Sequence, residues 1–276
     1  MKIEYGCDKQ REACAIIPTM DMHQLRVREL IMELDLYGVD SLLVEDRLPE
    51  FRFSRSMNVG IDKLINDGHA NVAVLSNDDI SDIRGLDNMI AIVSTGARSA
   101  YAVPLINKEW RMSIVTTSRF EFVYNLARTR YAPFHALRVL SGYGWVTKRK
   151  HFAMGVPALP KQNGFRRFAP VQPFAVFPIG VLMTHKFDEH FINGLEDDEL
   201  GYRLWKDGIS SVTSSNWNVK HGGALSFKAA RQGKKEKVGL YLCSDQEMIQ
   251  SAEYFWRKHF GRKLPRKLRN TNIERN

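Results

Sequence analysis

Three short apolar runs alternate with two amphipathic ones between Ala13 and Leu75, and that alternation restricts the chain to an α/β fold. Ala13 to Pro18, Ser41 to Asp46 and Ala70 to Leu75 are too short for helices and rich in Ile, Val and Leu, so they read as buried strands. Between the first two, Asp21 precedes a run with Leu25, Leu30 and Leu34 near one helical face. Gln24 is placed as a capping-box partner and Gly38 as the stop. Between the second and third, Met57, Ile61, Leu64 and Ile65 recur at helical spacing from Ser54 to Asn66, closed by Gly68. Strand, helix, strand, helix, strand with short connections predicts a parallel sheet with right-handed crossovers. Met89 to Ser94 reads as a further strand.

Two of these strands end in acid. Glu45-Asp46 closes the second and Asp78-Asp79 closes the third. Open α/β sheets bind ligands outside the carboxyl ends of their strands. Carboxylates there suit a hard divalent cation, and such a cation usually holds phosphates. A strand followed by a polar turn uses the same residues, because Asp and Asn also favour turns.

Composition narrows the class. The 276 residues are 44% hydrophobic and 26% charged, enough to bury a sizeable core. Cys7, Cys14 and Cys243 are scattered, which gives neither a disulfide framework nor a CxxC metal site. Reduced thiols and a first stretch without an apolar core lead to the expectation of a cytoplasmic protein without a signal peptide. The longest apolar run, Pro173 to Met183, is short of a membrane span and reads as a core strand.

The net charge is +9, much of it after Lys228, in Lys234-Lys235-Glu236-Lys237, Arg257-Lys258-His259, Arg262-Lys263 and Arg266-Lys267. Such a surface fits a phosphate-bearing substrate or an anionic membrane touched from the side, or is simply a solvated basic face. No recognisable nucleic-acid motif accompanies it, so no specific nucleic acid is expected.

Thr95 to Pro170 is rich in Arg, aromatics and Gly, with helical signals between Arg119 and Leu140. A segment of that kind often carries substrate selectivity. Beyond it, acids crowd the start of a helix that holds Leu200 and Leu204 and stops at Gly208. Strand-like Ile209 to Thr213 and Asn216 to Lys220 lead to His221-Gly222-Gly223. A last helix from Ser244, with Glu247 as its capping-box partner, ends at Gly261.

Asp78 and His221 together would form a mixed oxygen and nitrogen site for Mn²⁺ or Mg²⁺. Glu196-Asp197 would supply a separate general base. That equipment displaces a nucleoside diphosphate: the charge of the leaving group is neutralised while a base deprotonates an attacking hydroxyl. Taken singly, an acid pair at a helix start is a dipole device, and one His is structural. No GxSxG elbow, P-loop or GxGxxG is present.

The order of these motifs resembles the family-2 inverting glycosyltransferases of the GT-A fold, rhamnosyltransferase-like members especially. The matching residues are Pro18-Thr19, Val44-Glu45-Asp46, Asn58-Val59-Gly60 and Leu75-Ser76-Asn77-Asp78. Further on come Phe187-Asp188-Glu189-His190-Phe191, then Glu196-Asp197 through Leu200, Arg203, Leu204 and Gly208. His221-Gly222-Gly223 with Ser226, and Tyr254 to Lys258, complete the series. The resemblance implies a Rossmann-like, mostly parallel central sheet over residues 10–262, with a nucleotide-binding half at 10–95, an acceptor half at 96–230 and a basic tail at 263–276.

It also implies roles. Pro18, Thr19 and Glu45 would hold the base and ribose of a nucleoside-diphosphate sugar, with Asn58 and Asn77 in the same donor-binding set. Asp78 would bind Mn²⁺ or Mg²⁺ on the diphosphate, with His221 on the metal or the diphosphate. Asp197 would be the catalytic base and Glu196 would orient the acceptor, a glycan or lipid-linked glycan. Ser141, Gly142 or Trp145 would line the acceptor side. Two residues depart from the family pattern: Ser76 replaces the first acid of its Asp-x-Asp motif, and Glu45 replaces an Asp. Two other readings stand beside this one. A non-catalytic protein on the same fold would grip glycan or nucleic acid. A sugar-phosphate nucleotidyltransferase would need a Gly-rich, Arg-bearing loop where Pro18-Thr19-Met20-Asp21 stands.

Overall fold

A computed structural model describes residues 1–6, 11–46, 51–95, 100–107, 171, 173–191, 195–212, 214, 216–222 and 245–261. In chain order the elements are β1 (Lys2–Tyr5), β2 (Ala13–Thr19), α1 (Leu25–Leu36), β3 (Asp40–Glu45), α2 (Phe53–Asp67), β4 (Val72–Ser76), β5 (Ile80–Arg84) and α3 (Leu86–Thr95). They continue as β6 (Ala100–Ala102), β7 (Leu105–Ile106), β8 (Phe174–Pro178), α4 (Ile179–Leu182), α5 (Glu196–Lys206), β9 (Ser210–Val212), β10 (Asn218–His221) and α6 (Asp245–Phe260).

The expected β-α-β-α-β unit is present. β2 pairs in parallel with both β3 and β4. The main sheet has seven strands in the order β1-β3-β2-β4-β8-β6-β9. β1 and β8 run against their neighbours, and the other strands share one direction. The sheet is therefore mixed but mostly parallel, and helices cover both faces.

Alternation along β2 explains the two faces. Ala13, Ala15 and Ile17 join Val27, Leu30 and Leu34 of α1 and Leu86, Met89 and Val93 of α3. Cys14 and Ile16 point the other way, onto Met57, Ile61 and Leu64 of α2 and Leu200 and Leu204 of α5. All seven residues of β2 are buried, as a strand covered on both faces must be. A second sheet, in the order β5-β10-β7, adds Ile80, Ile83, Ile106 and Val219 to the α1 side.

Gly60 sets the distance between α2 and the sheet. A Cβ there would lie 2.3 Å from Ile16 Cγ2 and 3.2 Å from Val44 Cγ2, so only a glycine lets the helix sit this close. The Asn58-Val59-Gly60 motif thus has a packing reason at its third position.

Two local expectations are corrected. Met89 to Ser94 is not a strand but the body of α3, in which Leu86, Met89 and Val93 are buried and Ile92 is 40% exposed. A short apolar run without clear period fits either element, and burial at every third or fourth residue decides for helix. Gln24 is not a capping-box partner. It is itself the N-cap of α1 and makes no side-chain cap bond, while Asp21 closes a turn by accepting from the His23 amide at 2.9 Å. The segment 119–140, Ser141, Gly142, Trp145, Ser226 and the basic clusters at 234–237 and 262–267 lie outside the described residues. No described helix is long and apolar enough to cross a membrane.

Candidate functional site

The sheet order creates a break. From β2 the chain moves one way to β3 through α1, then back past β2 to β4 through α2. The two helices pack on opposite faces, and the strand order reverses between β2 and β4, where open α/β sheets place their ligands. The β2–β4 ladder stops at Ile16 and Leu75, whereas β2 stays paired with β3 as far as Thr19 and Glu45. Pro18 lies just past that stop and has no N–H to extend the ladder. Beyond that point β2 and β4 are no longer paired, and this switch point is the crevice of an open α/β sheet.

Thr19 and Asp78 face each other across it. The Thr19 hydroxyl donates to Asp78 Oδ2 at 3.0 Å. Glu45, opposite Thr19 in register and 5% exposed, accepts from the Met22 amide at 3.3 Å and so holds the turn after β2. Pro18, Thr19, Glu45 and Asp78 are therefore brought together. Asn77 is beside them: its backbone amide donates to Pro173 O at 2.9 Å, and its buried Oδ1 has no hydrogen-bond partner among the described residues.

Arg26, in the first turn of α1, was absent from the residues singled out by sequence. Its Nη2 lies 2.9 Å from Asp78 Oδ2. Burial pushes the Asp78 carboxyl above its ordinary range. Arg26 opposes that rise, the neighbouring Asp79 charge adds to it, and the Thr19 hydrogen bond also opposes it.

His221 is delivered by the second sheet. The antiparallel pairing of β10 with β5 sets His221 opposite Ile80, next to Asp79. Its Nε2 lies 3.1 Å from Asp79 Oδ1, and the Gly222 amide donates to Asp79 O at 3.0 Å. Asn107, at φ +53°, clamps the His221 peptide group: its Nδ2 donates to His221 O at 3.2 Å, and the His221 amide donates to Asn107 Oδ1 at 3.0 Å. The acid pair is thus divided, Asp78 to Arg26 and Thr19, Asp79 to His221.

A divalent cation needs several hard donors converging on one point. Among the described residues, no group of three or more His, Cys, Asp or Glu side chains is so placed. Asp78 turns an oxygen to a guanidinium, and His221 turns its Nε2 to Asp79. The described donors, as arranged, do not fit Mn²⁺ or Mg²⁺.

Asn58 and Asp46 have structural work. Asn58 Nδ2 donates to Phe187 O at 2.9 Å and to Glu189 Oε1 at 2.8 Å, and its Oδ1 accepts from the Phe187 amide at 2.9 Å. The side chain expected in the donor-binding set pins the 187–189 segment to α2. Asp46 accepts from the Arg52 amide at 3.4 Å, Ser56 Oγ at 3.1 Å and Arg55 Nη2 at 2.8 Å, and so anchors the start of α2.

Glu196 and Asp197 open α5, with Asp198 and Glu199 behind them in the same turn. Asp197 is 7% exposed. The N-cap is Leu195 at φ +69°, a backbone conformation rare for a large side chain, and Leu195 is itself buried. Strain of this kind persists only where the surroundings enforce it, and it gathers at working sites.

No family model and no curated protein matches the sequence. Among solved structures, A197 from STIV is 11% identical at a TM-score of 0.44, over 76% of this chain and 85% of that one. GalNAc-T7, crystallised with UDP, GalNAc and Mn²⁺, is 11% identical at a TM-score of 0.43, over 92% of this chain and 57% of that one. S. aureus TarS 1-349 is 12% identical at a TM-score of 0.40, over 94% of this chain and 77% of that one. Likenesses of that size leave the reading of function to the site itself.

Proposed function

We propose that the chain is an inverting glycosyltransferase, moving a sugar from a nucleoside-diphosphate sugar to an acceptor hydroxyl on a glycan or lipid-linked glycan. The observation that carries the proposal is the crevice at the carboxyl ends of β2 and β4, with Thr19, Glu45, Asp78 and Arg26 gathered at its mouth. Open α/β sheets bind nucleotides at such a break in strand order. The ordered motifs from Pro18 to Lys258 narrow a nucleotide site to a nucleotide-sugar site.

In this reading Thr19 and Glu45 contact the nucleoside. Asp197 removes the proton of the acceptor hydroxyl as it attacks the anomeric carbon, and Glu196 orients the acceptor. The bond from the anomeric carbon to the diphosphate oxygen breaks as the new one forms, so one in-line displacement inverts the centre. No covalent enzyme intermediate is needed.

Nucleotide release from a panel of nucleotide sugars, with a mixed glycan acceptor, tests the proposal. Asp197→Asn is expected to lower turnover by about 10²–10⁴-fold, the usual worth of a general base, with donor affinity unchanged. Wild-type turnover in that variant removes Asp197 from the chemistry. A chain that ignores every nucleotide sugar but binds nucleic acid with steep salt dependence is the non-catalytic protein instead.

A further inference from the structure

We propose that Arg26 grips the diphosphate of the donor, and that Asp78 serves to aim Arg26 rather than to hold a divalent cation. The proposal rests on reading the crevice as a nucleotide-sugar site, and goes further by naming what neutralises the leaving group.

Arg26 is placed for that task. α1 follows β2 directly, so its first turn lies beside the mouth of the crevice. Two donors converge on Asp78 Oδ2, Arg26 Nη2 at 2.9 Å and Thr19 Oγ1 at 3.0 Å. That oxygen is engaged by a guanidinium and a hydroxyl, so a metal ion would meet Asp78 only at Oδ1, beside the positive charge of Arg26.

The guanidinium has donors to spare. It carries five N–H groups in a rigid fork, and the contact with Asp78 runs through Nη2. Arg26 Nε is buried and has no hydrogen-bond partner among the described residues. A buried charged donor left unpaired is costly, so this N–H calls for a partner from outside the protein, a water or a ligand. The Arg26 side chain as a whole is 32% exposed, so a ligand entering the crevice can reach it. The Nε and Nη groups of one guanidinium edge are the parallel donors that bind a phosphate through two hydrogen bonds. With its remaining N–H groups on a phosphate, Arg26 supplies the fixed positive charge that the departing diphosphate requires, and Asp78 and Thr19 keep the fork from swinging into solvent.

A plain ion pair at the rim of the sheet is the contrary reading, and binding separates the two. Thermal stabilisation by UDP, GDP, CDP, dTDP and inorganic pyrophosphate is measured in EDTA and in Mn²⁺, for the wild type, Arg26→Ala and Arg26→Lys. The expected result is stabilisation by at least one nucleoside diphosphate in EDTA, weakened tenfold or more in Arg26→Ala and partly restored in Arg26→Lys, which keeps the charge but loses the fork. Binding that needs Mn²⁺ and ignores both substitutions overturns the inference and leaves the glycosyltransferase reading standing. Arg26-dependent binding of pyrophosphate, without any nucleoside diphosphate, sustains Arg26 as a diphosphate ligand while removing the nucleotide-sugar reading. No stabilisation by any of these probes overturns both.

Discussion

Lys258 Nζ lies 2.7 Å from Glu199 Oε1, and the Glu199 side chain is fully buried. The contact ties α6 to α5, the helix that carries Asp197. Arg203 Nε reaches Glu199 Oε2 at 2.9 Å, and His259 Nε2 lies 3.1 Å from Oε1. Three partners on one buried carboxylate leave it well satisfied, which is the condition under which a buried charge is tolerated. Lys258, counted by sequence with the basic surface, stays partly exposed but sends its ammonium to Glu199 and Asp188. Glu199→Ala is expected to destabilise the fold by about 3 kcal/mol, within the range seen when one side of a buried ion pair is removed. Chemical denaturation checks it, and a loss under about 0.5 kcal/mol, the scale of ordinary surface substitutions, would show the network to be passive.

The same network makes stability depend on acid. Burial alone would raise the Glu199 carboxyl, but the His259 hydrogen bond, Arg203 and Lys258 outweigh it and hold it below its ordinary range. At Asp188 burial also acts upward, and hydrogen bonds from Lys258, His190 and Tyr254 overcome it and depress the carboxyl strongly. An acid depressed in the folded state stabilises fully above its unfolded range, about 4.5 for Glu, and that contribution is lost as pH falls through the folded value. The melting temperature is therefore expected to drop as pH is lowered below about 4.5, with a shallower drop in Glu199→Gln. Equal slopes for the two proteins would place the acid sensitivity elsewhere.

Asn58 separates a fastening role from a ligand role. Its amide is engaged at both ends by Phe187 and Glu189. Asn58→Ala leaves the buried Phe187 amide without a partner, which costs about 2 kcal/mol. Nucleoside-diphosphate affinity is expected to stay at the wild-type level once the measurement is made well below the melting temperature. A stable variant that no longer binds nucleotide would return Asn58 to the donor site.

The sheet and its open end were legible because they rest on local pattern. Ala13 to Leu75 shows its strands as continuous apolar runs and its helices as periodic ones, and short connections dictate parallel pairing. What escaped was long-range. That His221 answers Asp79 rather than Asp78 depends on β10 pairing with β5, strands about as far apart in sequence as half the chain. That β8 runs antiparallel to β4 depends on which edge a strand beyond residue 170 finds. Arg26 was hidden differently. Arg26 and Arg28 sit in an ordinary amphipathic run, and only the turn of α1 shows that Arg26 meets an acid. The available signal was position, a cation in the first turn after the first strand of a β-α-β unit.

Ser76 stands where the resembling family carries an acid, and its surroundings explain why. It is fully buried, opposite Phe174 in the β4–β8 ladder, and its hydroxyl donates to Asn77 O at 3.0 Å. An aspartate there would place a second carboxylate close to Asp78 at a fully buried position. Charge burial without a partner costs several kcal/mol, and the new acid would ionise only with difficulty. Ser76→Asp is thus expected to lower stability by about 3 kcal/mol or more, without raising nucleotide-sugar turnover, although it restores the Asp-x-Asp pattern. Mn²⁺ titration of the variant is the discriminating measurement. If the substituted chain is as stable as the wild type and gains turnover only when Mn²⁺ is added, the crevice accepts a cation after all, and Ser76 rather than Arg26 is what keeps the natural chain from using one.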